Sequence, residues 1–160
     1  MRILALCLSL LLPLSVCAKS ATDCKTIDQG MRECSLKESS FSANNTPYYV
    51  MWRVVNKGPL KKQQNLVYVL VSKERDKNYS MVKEVTFSSE KNRRISLPTF
   101  FAGATNHQLI VVMDTALKDI QKLKTAQIEL KLVNTEEVVK GQLSKDSLRE
   151  IQELIKKSLA

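Results

Sequence analysis

Histidine is almost missing: His107 is the only one in 160 residues. It sits between Asn106 and Gln108, and no Gly-x-Ser-x-Gly elbow or cysteine nucleophile accompanies it. A serine triad or an imidazole metal site therefore has no material beyond this one residue, which reads as a structural histidine. Glycine and proline are scarce, four of each, which excludes collagen-like and low-complexity architectures. No internal repeat, phosphate-cradling glycine loop or calcium loop is present, and no cofactor is expected. After the first 18 residues no apolar run reaches the ~20 residues a membrane-crossing helix needs.

What is present begins with that first run. Arg2 is a short positive start, Ile3–Leu14 is apolar apart from Ser9 and Pro13, and Val16-Cys17-Ala18 places small residues before a cut after Ala18. Residues 1–18 are expected to be a secretory signal, and the protein to be periplasmic or extracellular. Leu14-Ser15-Val16-Cys17 also loosely fits a bacterial lipobox, so lipid anchoring at Cys17 is the alternative. The formal charge is +9, of which Arg2 carries one, leaving +8 on the mature chain.

Of the four cysteines, Cys7 and Cys17 fall in the signal. Cys24 and Cys34 remain. In an oxidising compartment such a pair is expected to form a disulfide. A loop of this size contributes about 2–3 kcal/mol in the chain-entropy picture. Asp28 and Gly30 supply turn chemistry inside it. Thioredoxin-type redox chemistry needs Cys-x-x-Cys, and zinc needs three or four ligands; neither is available.

Residues 19–47 read as an irregular, disulfide-stapled segment rich in Ser, Asn and Pro, with room for a short strand near Arg32–Leu36. Residues 48–160 read as one β-rich domain. Strands are expected at 48–56, 65–72, 80–89, 93–100, 107–114, 126–134 and 137–143, from β-branched and aromatic density and period-2 alternation. Pro98 should end its strand or place it at an edge. Trp52 shares a strand face with Tyr48 and Val50 and is expected in the core.

Leu117, Ile120 and Leu123 change the period and predict a short helix near 115–124. Ser144 as N-cap, Leu143 and Leu148 as a staple, and a Leu148–Ile151–Leu154–Ile155–Leu159 stripe predict an amphipathic helix over 145–158. Its stripe is expected to pack on the sheet. The fold class is α+β, mostly antiparallel β: a sandwich-like sheet of six or seven strands with these two helices.

A cysteine pair, then strands, then "IQKLKTAQIELKLVNTEEVV", then a terminal helix is an order of elements that resembles small exported bacterial proteins of the invasion-associated locus B type. Those usually carry a second cysteine pair, which this chain lacks, and the resemblance is not adopted.

The basic excess concentrates at Lys57, Lys61 and Lys62, at Lys91, Arg93 and Arg94, and at Lys118, Lys122 and Lys124. These residues are the expected contacts for an anionic partner, against the plain reading that they keep the surface solvated. Phe100 and Phe101 cannot both point inward from one strand, so one is expected to be an exposed aromatic contact. The leading expectation is a non-enzymatic exported binding or accessory protein. Its partner would be a protein or an anionic envelope or cell-surface polymer, not nucleic acid. The alternative is an inhibitor or chaperone-like module presenting the 57–64 loop, the 98–106 segment or a sheet edge to one protein. A third reading is a carboxylate-dependent hydrolase, which needs two facing acids.

Overall fold

The computed structural model describes residues 22–27, 30–56, 64–89, 93–99, 112–133 and 135–160. It is mostly antiparallel β with two helices, one of them C-terminal. The strands are β1 (Thr22–Thr26), β2 (Arg32–Ala43), β3 (Thr46–Asn56), β4 (Gln64–Ser72), β5 (Ser80–Ser88), β6 (Arg94–Pro98), β7 (Val112–Met113), β8 (Gln127–Leu132) and β9 (Val138–Leu143). The helices are α1 (Asp114–Ile120) and α2 (Lys145–Leu159).

The expected sheet is present, with nine strands and with its ends joined. β2, β3, β4, β5, β8 and β9 pair in a ring, all antiparallel. The ring closes where Phe41 and Ser42 of β2 meet Leu143 and Gln142 of β9. β1 pairs with β2, β6 with β5, and β7 with β4. Closure leaves fewer strand edges to solvent than an open sheet of the same size.

The segment 19–47 is not irregular. Its described residues hold β1, all of β2 and the start of β3. The reason lies in the register. Leu36 faces Trp52 while Ser39 faces Val50, so two residues of β2 stand opposite Met51 alone. This bulge shifts the inward set from Cys34 and Leu36 to Ser39, Phe41 and Ala43, and so breaks the period-2 pattern. Asn44 and Asn45, at φ 49° and 63°, form the two-residue turn that joins β2 to β3.

One hydrophobic core joins ring and helices. Trp52 is 2% exposed, stacks on Phe87 with centroids 6.0 Å apart, and donates its indole N–H to Ser39 Oγ at 2.8 Å. The shifted register thus supplies the acceptor that a buried indole needs. The α2 stripe of Leu148, Ile151, Leu154 and Ile155 is buried in the same core, packed on β1, β2 and β3. Ser144 caps α2 by accepting from the Ser147 amide at 3.0 Å, and Leu143 and Leu148 are both buried beside it.

α1 is shorter than expected, ending at Ile120 rather than near 124. Its last turn tightens into i→i+3 bonds from Lys122 to Asp119 and from Leu123 to Ile120. Gln152 of α2 donates to the carbonyls of Ile120 at 3.1 Å, Gln121 at 3.3 Å and Leu123 at 2.8 Å. Gln152 thus ties α2 to the last carbonyl of α1 and to two carbonyls of the turn that follows it. Of the run 107–114, the described part is β7 and the first residue of α1; His107 lies outside the described residues.

Candidate functional site

The outer face of β6, β5, β8 and β9 is built by alternation, although the outward Thr86 is itself buried. Ile95, Leu97, Val85, Phe87, Ile128, Leu130 and Val139 point inward and are buried. Their neighbours form three cross-strand rows on the outside. The first row is Arg94, Ser88, Gln127, Gln142; the second is Ser96, Thr86, Glu129, Lys140; the third is Pro98, Glu84, Lys131, Val138. Rows on one strand lie two residues apart, so the first and third are separated by about 13 Å.

A depression of about 410 Å³ opens over the first row. Its walls are Ser88, Ser89, Arg94, Thr125, Gln127 and Gln142, with Ala126 as the one apolar contributor. The Gln142 amide nitrogen is fixed on the Ala126 carbonyl at 3.0 Å. The second row is filled by its own bonds. Thr86 and Ser96 hydroxyls meet at 2.9 Å, and Glu129 accepts from Lys140 at 3.0 Å and from Arg94 at 3.5 Å.

A second depression of about 540 Å³ lies over the third row, with Glu84, Glu136 and Glu137 among its walls. Three carboxylates in one hollow invite comparison with a hydrolytic site. Lys131 donates to Glu84 at 2.6 Å, however, and this bond chiefly holds the Glu84 carboxyl below its ordinary value. An acid kept ionised is a poor proton donor. Glu137 is spanned by Lys73 at 3.9 Å on the neighbouring surface.

Two of the three basic clusters, distant in sequence, come together beside the first row. Asp119 of α1 accepts from Arg93 at 2.6 Å and pairs with Lys122 at 3.4 Å. The Arg93 bond is the main cause of a lowered Asp119 pKa. Lys118 and Lys124 are exposed and form no ion pair among the described residues. Arg94 stands on the wall of the first depression itself. Lys57, Lys61, Lys62, Lys91, Phe100 and Phe101 lie outside the described residues.

Sequence reasoning missed Ser88, Gln127, Lys140 and Gln142 as members of this face. The signal existed in the alternation of 126–134 and 137–143, but pairing order was needed to lay them side by side. It also missed Gly141. A Cβ there would collide with the Ser42 carbonyl oxygen and with Phe41 Cδ2, so a glycine permits β9 to approach β2 where the ring closes.

On the opposite side, Cys24 and Cys34 are directly opposed on β1 and β2 and joined as a disulfide. Next to them Glu33 accepts from Arg53 and pairs with Lys25 at 3.4 Å. The Arg53 bond is the main reason its carboxyl is held below the ordinary 4.5. Among the described residues no group of three or more His, Cys, Asp or Glu side chains is placed to hold a metal, and no helix is long and apolar enough to cross a membrane. No protein-family model, curated protein or solved structure matches this chain.

Proposed function

We propose that this is an exported, non-enzymatic binding protein that docks an anionic partner on the outer face of β6, β5, β8 and β9 and on the adjoining α1 turn. The observation that carries the reading is the charge balance there. At the Arg94 end of this face and on the α1 turn, Arg93, Arg94, Lys118, Lys122, Lys124 and Lys140 stand against Asp119 and Glu129, whereas Glu84, Glu136 and Glu137 gather at the Pro98 end with Lys83 and Lys131. Such an excess attracts a polyanion and speeds its encounter. The export component rests on the signal pattern of residues 1–18, and the disulfide suits an oxidising compartment. An anionic envelope or cell-surface polymer, or an acidic protein, fits this surface.

The test is retention of the purified protein on immobilised heparin and on lipopolysaccharide across a salt series. Retention at low salt that falls steadily as salt rises is expected, because added ions screen exposed charges. No retention on any anionic matrix at low salt would overturn the proposal.

A further inference from the structure

The charge balance says that an anion is attracted, but not what part of it is read. We infer that the depression over the first row is a subsite for one oxyanion-bearing sugar unit, a sulfated or carboxylated ring within a polymer. This deepens the binding proposal above and rests on it.

The lining chemistry selects the ligand class. Arg94 brings a planar guanidinium, the group suited to two-point contact with sulfate or carboxylate. Its one ion-pair partner among the described residues is Glu129, at a long 3.5 Å, and Glu129 is held more closely by Lys140 at 3.0 Å. Most of the five guanidinium donors are therefore uncommitted to that pair. The hydroxyls of Ser88 and Thr125 and the amides of Gln127 and Gln142 both donate and accept, as sugar hydroxyls require. Gln142 is oriented in advance: its amide nitrogen is tied to the Ala126 carbonyl at 3.0 Å. Ala126 is the one apolar residue in this lining, so polar groups can meet a ligand from most of its wall residues. At about 410 Å³ the hollow is in the size range of small-ligand sites.

The position also fits a polymer. The hollow borders the Arg93–Asp119–Lys122 cluster through the 121–126 turn, so a chain leaving it meets more cations. The subsite would read one unit while the cluster supplies length-dependent attraction.

Titration calorimetry with three probes of equal length tests this: a sulfated tetrasaccharide, its desulfated carboxylate-bearing counterpart and a neutral tetrasaccharide. The wild-type protein is expected to bind both acidic probes and not the neutral one. Arg94→Gln is expected to weaken acidic-probe binding about tenfold or more, and Gln127→Ala about threefold, both with unchanged thermal melting. The triple variant Lys118→Gln, Lys122→Gln, Lys124→Gln is expected to flatten the salt dependence while keeping the preference for acidic over neutral probes. Arg94→Gln with wild-type affinity, or equal binding of the neutral probe, would overturn the subsite. Failure of every probe with the wild-type protein, together with no retention on anionic matrices, would overturn the parent proposal instead.

Discussion

The barrel has two outer surfaces that differ in what their cations pack against. On the β1–β4 side, three cations lie over aromatic rings. Arg53 lies 5.5 Å over the Tyr68 ring and bonds Glu33; Arg75 lies 5.4 Å over Tyr49 and pairs with Glu38 at 2.8 Å; Lys73 lies 5.8 Å over Tyr48. On the β6-β5-β8-β9 side Lys131, Lys140, Arg93 and Lys122 also pair with carboxylates, but the described rows hold no aromatic ring, and Arg94 keeps one long ion pair. The first surface is stapled by Cys24–Cys34 and tied together by cation–π and ion pairs. The second presents a polar hollow. Net charge alone would rate every exposed Lys and Arg alike; what differs is how much of each group's bonding capacity the fold already uses.

The comparison breaks most severely if the shared core is removed. Phe87 stacks on Trp52 across the core, so Phe87→Ala is expected to cost about 3–5 kcal/mol and to destabilise both surfaces together. Urea melts followed by Trp52 fluorescence and by far-ultraviolet circular dichroism should shift by the same amount; separate midpoints would show two independent units.

Next in size is the staple. Replacing Cys24 and Cys34 by alanine is expected to cost about 2–3 kcal/mol. It should leave polyanion affinity at low temperature unchanged, because the disulfide belongs to the other surface. A matching loss of affinity would tie the two surfaces functionally. Gly141→Ala presses on the seam between them and is expected to cost about 1–3 kcal/mol by overpacking, measured by the same urea melts.

The smallest effects are in pH and carry opposite signs. Glu33 is held below its ordinary 4.5 chiefly by the Arg53 hydrogen bond. Its stabilisation is complete above that value and is lost as pH falls through the lower folded-state value. Glu150 is pushed above 4.5, first by burial and then by Asp146. Its penalty is absent in acid and grows as pH rises from 4.5 through the raised folded-state value. Glu33→Gln should therefore lower Tm at pH 7 and by progressively less as pH falls below 4.5, while Glu150→Gln should raise Tm at pH 7 but not at pH 3.

The α2 helix, the 48–56 and 65–72 strands and the inward Trp52 were legible because each rests on local pattern: cap, stripe or alternation. β2 was not legible as a long strand. Its bulge at Lys37–Glu38 moves the inward set by one residue, and Ser39 takes a core position that propensity assigns to an apolar side chain. Ring closure was hidden for a related reason, since it depends on the two-residue contact of Phe41 and Ser42 with β9, permitted by Gly141. For the site, Arg93, Arg94, Lys118, Lys122 and Lys124 could be named one by one. That Asp119 joins two of their clusters, and that Gln127 and Gln142 lie beside Arg94, follows only from strand order.

The most direct measurement is a backbone amide NMR titration of the protein with a sulfated oligosaccharide, read by surface. Shifts confined to Ser88, Arg94, Gln127, Lys140, Gln142 and the 118–125 turn, with Tyr49, Arg53 and Tyr68 unmoved, are the predicted result. Shifts centred on Tyr49, Arg53 and Tyr68 would contradict the account and place the binding surface on the stapled side.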